Sequence, residues 1–200
     1  MEKDTYKTIK SESEGFYSDK GSKFYAFAYP VSSEEEFKEH LQYLKKKYHD
    51  ARHHVYAFII GSDRSFYRAS DDGEPSNSSG IPVLGQIRSF ELTNVAIIVV
   101  RYFGGTKLGV PGLINAYKTS AYDALSNAEI IEKTVNDDIG LIFSYDDMSF
   151  VMKVIKDYDA EIIFQEFMEE CRIEISIRKS MKDNFISAIE QNHRIVVKKQ

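Results

Sequence analysis

The chemistry of this 200-residue chain concentrates in two short stretches. The first, residues 101–112, reads RYFGGTKLGVPG and places four glycines and a lysine between an apolar run and a helical pattern. Glycines let the backbone approach a ligand closely, and the free N–H groups of a following helix favour an anion. Gly104, Gly105, Gly109 and Gly112 would line such an anion or nucleic-acid site, with Arg101 and Lys107 adding positive charge. The spacing does not match the G-x-x-x-x-G-K-[ST] phosphate loop. For a glycine loop taken alone, a tight strand-to-helix connection is the favoured reading.

The second stretch, residues 71–80, reads DDGEPSNSSG. Asp71, Asp72 and Glu74 offer three carboxylates within four residues, which could hold Mg²⁺ through oxygen ligands. The Asp-Gly and Glu-Pro pairs are turn chemistry, the EF-hand spacing is absent, and turn is favoured over metal. A long irregular loop inside a compact domain is often functional, so a binding loop around Ser76 stays open. His53 and His54 start a strand, where neighbours point to opposite faces, so the two imidazoles cannot easily share a metal. Ser76, Ser78 and Ser79 lie in no G-x-S-x-G elbow, and Cys171 has no neighbour that would activate a thiol. Lys45, Lys46, Lys47 and residues 48–54 make a basic, aromatic-containing run that could meet phosphates or simply solvate a helix end.

Elements that position these residues can be read from periodicity. Residues 22–29 (SKFYAFAY) alternate as a strand. Ser33 and Glu36 form a capping box for a helix carrying Phe37, Leu41, Leu44 and Tyr48 inward. Residues 54–60 and 65–69 read as a hairpin, residues 81–90 as a short helix with Pro82 in its first turn, and residues 95–100 (VAIIVV) as a strand buried on both faces. A helix follows from about Pro111 to Ala128, with Ile114, Tyr117, Ala121, Leu125 and Ala128 on one face. From residue 138 the order β-α-β-β-α-β completes a ferredoxin-like unit. The fold class is α+β, and a boundary near residues 129–136 divides the chain into domains at 1–130 and 131–200.

Composition bounds the possibilities. Hydrophobic residues make up 42% and charged residues 28%, as in an ordinary globular chain. The single cysteine excludes an intrachain disulfide and a multi-thiolate zinc site. No apolar run reaches bilayer length, and the first residues lack a signal peptide's apolar core, so the expected compartment is the cytoplasm with no membrane partner. The formal charge of −5 argues against coating polyanions generically. It is unevenly shared: residues 131–200 hold 10 basic and 14 acidic side chains, residues 1–130 hold 16 and 17. A compact anion site in the nearly neutral first part stays compatible with that balance.

Four blocks in order make the sequence recognisable: Lys20-Gly21-Ser22-Lys23-Phe24, Asp50-Ala51-Arg52-His53-His54, Asp71-Asp72-Gly73-Glu74-Pro75-Ser76, and residues 99–109, VVRYFGGTKLG. Together they closely resemble the IMPACT/YigZ family over about residues 15–128. The chain departs from the family in having Asn77 and Pro111-Gly112 where glycines are usual. Asn tolerates left-handed backbone angles and proline suits a first helical turn. The resemblance implies an α/β sandwich like the second domain of small-subunit ribosomal protein five, followed by a ferredoxin-like domain similar to the late domains of elongation factor G. Both point toward RNA or the translation apparatus, and eukaryotic relatives regulate translation.

The expectation is therefore a non-enzymatic cytoplasmic regulator binding RNA or a ribosome-associated protein, needing no cofactor. His53, His54, Asp71, Asp72, Glu74 and Ser76 are expected to border one cleft with the glycine loop. The rival is an enzyme acting on a phosphorylated small molecule or nucleotide, with Mg²⁺ at the acidic cluster. The sequence does not set the oligomeric state.

Overall fold

The apolar run at residues 95–100 sits in the middle of the first of two units. The computed structural model describes residues 4–199. One unit is Tyr6–Lys133, and the other joins the segment ending at Thr5 to the segment beginning at Thr134. In chain order the first part comprises β1 (Thr5–Ile9), β2 (Ser13–Asp19), β3 (Ser22–Pro30), α1 (Glu34–Lys47), β4 (His53–Ile60), β5 (Phe66–Ser70), α2 (Gly80–Ser89), β6 (Val95–Tyr102), α3 (Gly109–Ser126) and β7 (Ile130–Thr134).

Five strands form a sheet in the order β2-β3-β6-β4-β5, with every neighbouring pair antiparallel. Alternation along β6 divides its side chains between two cores. Val95, Ile97 and Val99 pack with Phe24, Ala26, Val55 and Ala57 beneath α2 and α3. Ala96, Ile98 and Val100 join Phe27, Phe58 and the α1 residues Phe37 and Leu44 on the other face. Burying each Val or Ile contributes roughly 1.5–3 kcal/mol, and a one-residue slip would exchange the faces of the whole strand. Register is therefore fixed where β6 ends, which is where the chemistry begins.

Caps follow the sequence with small displacements. Ser33 Oγ accepts from the Glu36 amide at 3.2 Å, but the Glu36 carboxylate binds Ser32 N and Oγ instead of returning to Ser33. Helix α3 starts at Gly109, two residues before the expected start, which leaves Pro111 in the first turn where its missing N–H costs nothing. Its buried face carries Leu113 where the periodicity pointed to Ile114, which is exposed. Three strands escaped the sequence reading. β1 and β7 form a separate two-stranded sheet, and β2 is an edge strand of mixed burial. Their polar composition hides the alternation. Gly15 in β2 is required by packing, since a Cβ there would overlap the Ala124 backbone of α3.

The second part runs β8 (Asn136–Phe143), a 3₁₀ turn (Tyr145–Asp147), α4 (Met148–Asp157), β9 (Glu161–Phe167), β10 (Cys171–Arg178), a 3₁₀ turn (Lys179–Met181), α5 (Lys182–Ile189) and β11 (Val196–Lys199). The sheet order β11-β8-β10-β9, antiparallel throughout, is the ferredoxin-like arrangement. Ile139, Leu141, Ile173, Ile175 and Ile177 meet Val151, Ile155, Phe185 and Ile189 in its core. Cys171 belongs to this core, and burial raises its thiol pKa. Asp147 accepts from Ser144 Oγ, Asn192 Nδ2 and Arg194 Nη2, tying the first 3₁₀ turn to the segment before β11. Among the described residues, no helix is long and apolar enough to cross a membrane.

His54 illustrates the cost of the second face of the first sheet. Its ring is buried, and Nε2 has no hydrogen-bond partner among the described residues. Burial lowers its pKa below the ordinary 6.5; Lys45 acts in the same direction and Asp72 opposes. The unfolded chain thus binds the proton more readily, so the stability this neutral imidazole allows is complete above about pH 6.5 and is lost as pH falls through that value. Urea unfolding at pH 7.5 and 5.5 should show the first unit weakening at the lower pH, with His54→Leu flattening the difference. An unchanged pH dependence in the variant would assign it to another group.

Candidate functional site

β6 continues two residues beyond its apolar run, and the first of them is charged. Arg101 follows Val95, Ile97 and Val99 on the α2/α3 face, opposite Phe24 in β3 and His53 in β4. Its side chain is only 8% exposed. Glu74, 4% exposed, reaches it from the loop after β5: Oε1 accepts from Arg101 Nη1 at 2.5 Å and from the Tyr117 hydroxyl of α3 at 2.7 Å. Burial, then the Glu74 charge, holds the Tyr117 phenol far above its ordinary range, so it stays a donor. The guanidinium lies 5.5 Å from the Phe24 ring centroid and 5.7 Å from that of Phe103. Its Nε is buried with no partner among the described residues.

The acidic loop is organised by its own carboxylates. Asp71 Oδ1 accepts from Ser79 N, Ser79 Oγ and Gly80 N at 3.1, 2.7 and 2.8 Å, and Oδ2 accepts from Asn77 N at 2.8 Å. This caps the start of α2 from across the loop, because Ser79 makes no side-chain cap bond itself. Burial raises the Asp71 pKa, but these bonds outweigh it and the net direction is down. Asp72 holds both histidines from one left-handed residue (φ 41°): its carboxylate accepts from His54 N at 2.6 Å and its carbonyl lies 2.8 Å from His53 Nδ1. A carbonyl only accepts, so Nδ1 is the donor in this bond. Asn77 adopts φ 60°, the angle that glycine would otherwise supply.

These elements surround a cleft of about 450 Å³. Arg52, His53, Glu74, Arg101 and Lys107 line it with Pro75, Phe103, Leu108, Gly109, Val110 and Leu113. Its floor includes the N-terminus of α3, which has no side-chain cap. The glycines divide by role. Gly109 lines the cleft at φ 71°, and Gly105, at φ 87°, faces open space. Gly104 and Gly112 are accounted for by packing. A Cβ at Gly104 would overlap the Gly21 carbonyl carbon, and its amide donates to Ser22 Oγ at 3.1 Å; a Cβ at Gly112 would stand 2.9 Å from the Leu108 Cβ.

Of the residues expected at the cleft border, His53 and Glu74 are there. His54 is not: strand alternation turns it to the α1 face. Asp71 and Asp72 face backbone partners beside the cleft, and exposed Ser76 lies outside its lining. The Mg²⁺ reading of residues 71–74 loses its donor set, since the three carboxylates turn to three different partners. No group of three metal-ligating side chains occurs among the described residues. Tyr117 and Phe103 were not singled out by sequence reasoning. Tyr117 stands 43 residues from Glu74 and read only as a core aromatic; Phe103 sat inside the glycine motif unremarked.

The division of the glycines is testable by denaturant unfolding. Gly104→Ala should destabilise the first unit by about 3 kcal/mol or more, because backbone must move. Gly105→Ala should cost about 1–2 kcal/mol from its positive φ alone. The reverse order would contradict the packing assignment.

Residues 20–125 match the family model described as the Impact N-terminal domain. The IMPACT family member YvyE of Bacillus subtilis (strain 168) is 36% identical over 129 residues, covering 64% of this chain and 59% of that protein. The IMPACT family member YigZ of Escherichia coli (strain K12) is 29% identical over 150 residues, 74% of each chain. This chain thus spans less than two thirds of the Bacillus relative. A crystal structure described only as that of a hypothetical protein aligns over 99% of this chain and 98% of its own, with TM-score 0.77 at 22% identity, a likeness of fold alone. The family match covers more than half the chain and contains the cleft and the groups that build it: the chain belongs to the IMPACT/YigZ family.

Proposed function

We propose that this chain is a cytoplasmic, translation-linked regulator that binds RNA through the cleft of its first unit and catalyses no reaction. One observation carries the reading: Arg52, Arg101 and Lys107 line a cleft with a single carboxylate, and that carboxylate is already engaged by Arg101 and Tyr117. The helix dipole of α3 adds to the same potential. A cation-rich cleft in a unit of nearly zero net charge favours local phosphate contact over a ribosome-associated protein as the partner. The translation link comes from family membership, since the eukaryotic relatives implied by the sequence resemblance regulate translation. Binding is favoured over catalysis because cations converge here and, among the described residues, no hydroxyl or thiol side chain lines the cleft; Cys171 is buried in the other unit.

Fluorescence anisotropy of a labelled single-stranded RNA across a salt series tests this. Affinity should fall steeply with salt, and Lys107→Ala should reduce the slope of log K against log salt by about one phosphate contact. Absence of binding at low salt, or a slope untouched by the substitution, would overturn the proposal.

A further inference from the structure

The cleft has the dimensions and charge of a site for one nucleotide. Its volume of about 450 Å³ lies in the range of small-molecule sites, roughly 300–1,000 Å³. Counting histidine as neutral, its lining carries three cations and one carboxylate, an excess of two positive charges. An internal phosphodiester offers a single negative charge. A phosphate monoester offers about −1.5 to −2 at neutral pH, because its second pKa is about 6. The charge excess therefore matches a chain end or a free nucleotide better than the middle of a strand.

Two further features separate this site from a bare helix N-terminus. Arg101 lines the cleft with a side chain more than nine-tenths buried, and its enclosed Nε finds no acceptor among the described residues. An enclosed donor without an acceptor is costly, and an anion held beside the guanidinium lowers that cost electrostatically. Phe103 stands at the same cleft with half its surface exposed and the Arg101 guanidinium near its ring. An aromatic left in this position can stack one unpaired base, worth about 1–3 kcal/mol in comparable sites.

We infer that the cleft receives a single nucleotide bearing a terminal phosphate monoester. The phosphate meets Lys107, Arg52 and the first amides of α3 beside the Arg101 guanidinium, while the base stacks on Phe103. The inference rests on the RNA-binding reading and narrows it to a chain end. The same chemistry is offered by a 5′-phosphorylated RNA end, a 3′-phosphorylated end, or a free nucleoside monophosphate.

Anisotropy with the full chain and three octaribonucleotides of one sequence separates these sources. One carries a 5′-phosphate, one a 3′-phosphate and one neither, with AMP, adenosine and inorganic phosphate as competitors. At least tenfold tighter binding of either phosphorylated octamer over the unphosphorylated one is expected, and whichever end is preferred identifies the source. AMP competing as well as a phosphorylated octamer, with adenosine inactive, would equally support the site and name the free nucleotide. Arg52→Ala and Lys107→Ala, both at exposed positions, should each abolish the phosphate preference without unfolding the unit. Phe103→Leu should weaken the octamer while leaving competition by inorganic phosphate unchanged. Equal affinity for all three octamers would overturn the inference and leave the RNA-binding reading standing. No binding of any octamer or of AMP would overturn both.

Discussion

A buried charge holds this site together. Arg101 and Glu74 form an ion pair almost wholly out of water, and Tyr117 adds a second hydrogen bond to the same Glu74 oxygen. Desolvating two such charges is expensive, and an equally packed apolar pair would often be no less stable. Once built, the pair is costly to break from one side, by about 3–5 kcal/mol, because the survivor is a buried uncompensated charge. Its consequence is geometric. Arg101 belongs to β6, Glu74 to the loop after β5 and Tyr117 to α3, so one carboxylate sets the relative position of three walls of the cleft.

The same pair sets the electrostatics. Among the described residues the only carboxylate lining the cleft is spent on Arg101 and Tyr117, so Arg52 and Lys107 are not neutralised by it. The other acidic side chains of the loop serve the backbone. Asp71 replaces the missing cap of α2, and Asp72 fastens the start of β4 through both histidines. A stretch that looks like a cation site in sequence thus becomes a scaffold for an anion site. Local composition did not determine the sign of the ligand; the direction each carboxylate faces did.

Much of the fold is legible because it rests on periodicity. The run at 95–100 had to be covered on both faces, and the β-α-β-β-α-β order after residue 136 left one familiar arrangement. Strands β1, β2 and β7 were not legible, since edge strands with polar, half-exposed faces carry little alternation. At the site, residue types could be read but their roles could not. Gly104 and Gly105 are adjacent and identical, yet one is held against a chain segment some 80 residues away and the other faces open space. His53 and His54 differ only by strand alternation, and that difference separates cleft from core. The pairing of Glu74 with Arg101, 27 residues away, exists only once β6 has found its register.

The central claim is that phosphate enters this cleft beside an unsatisfied Arg101 donor. ¹⁵N-detected titration of the full chain with phosphate-terminated RNA observes that donor directly, through the Arg101 Nε–H resonance. The account predicts that this signal moves together with the amides of Gly105, Lys107, Gly109 and Val110, while signals from the second unit stay in place. Movement confined to the second unit, with Arg101 Nε–H unchanged at saturation, would contradict it.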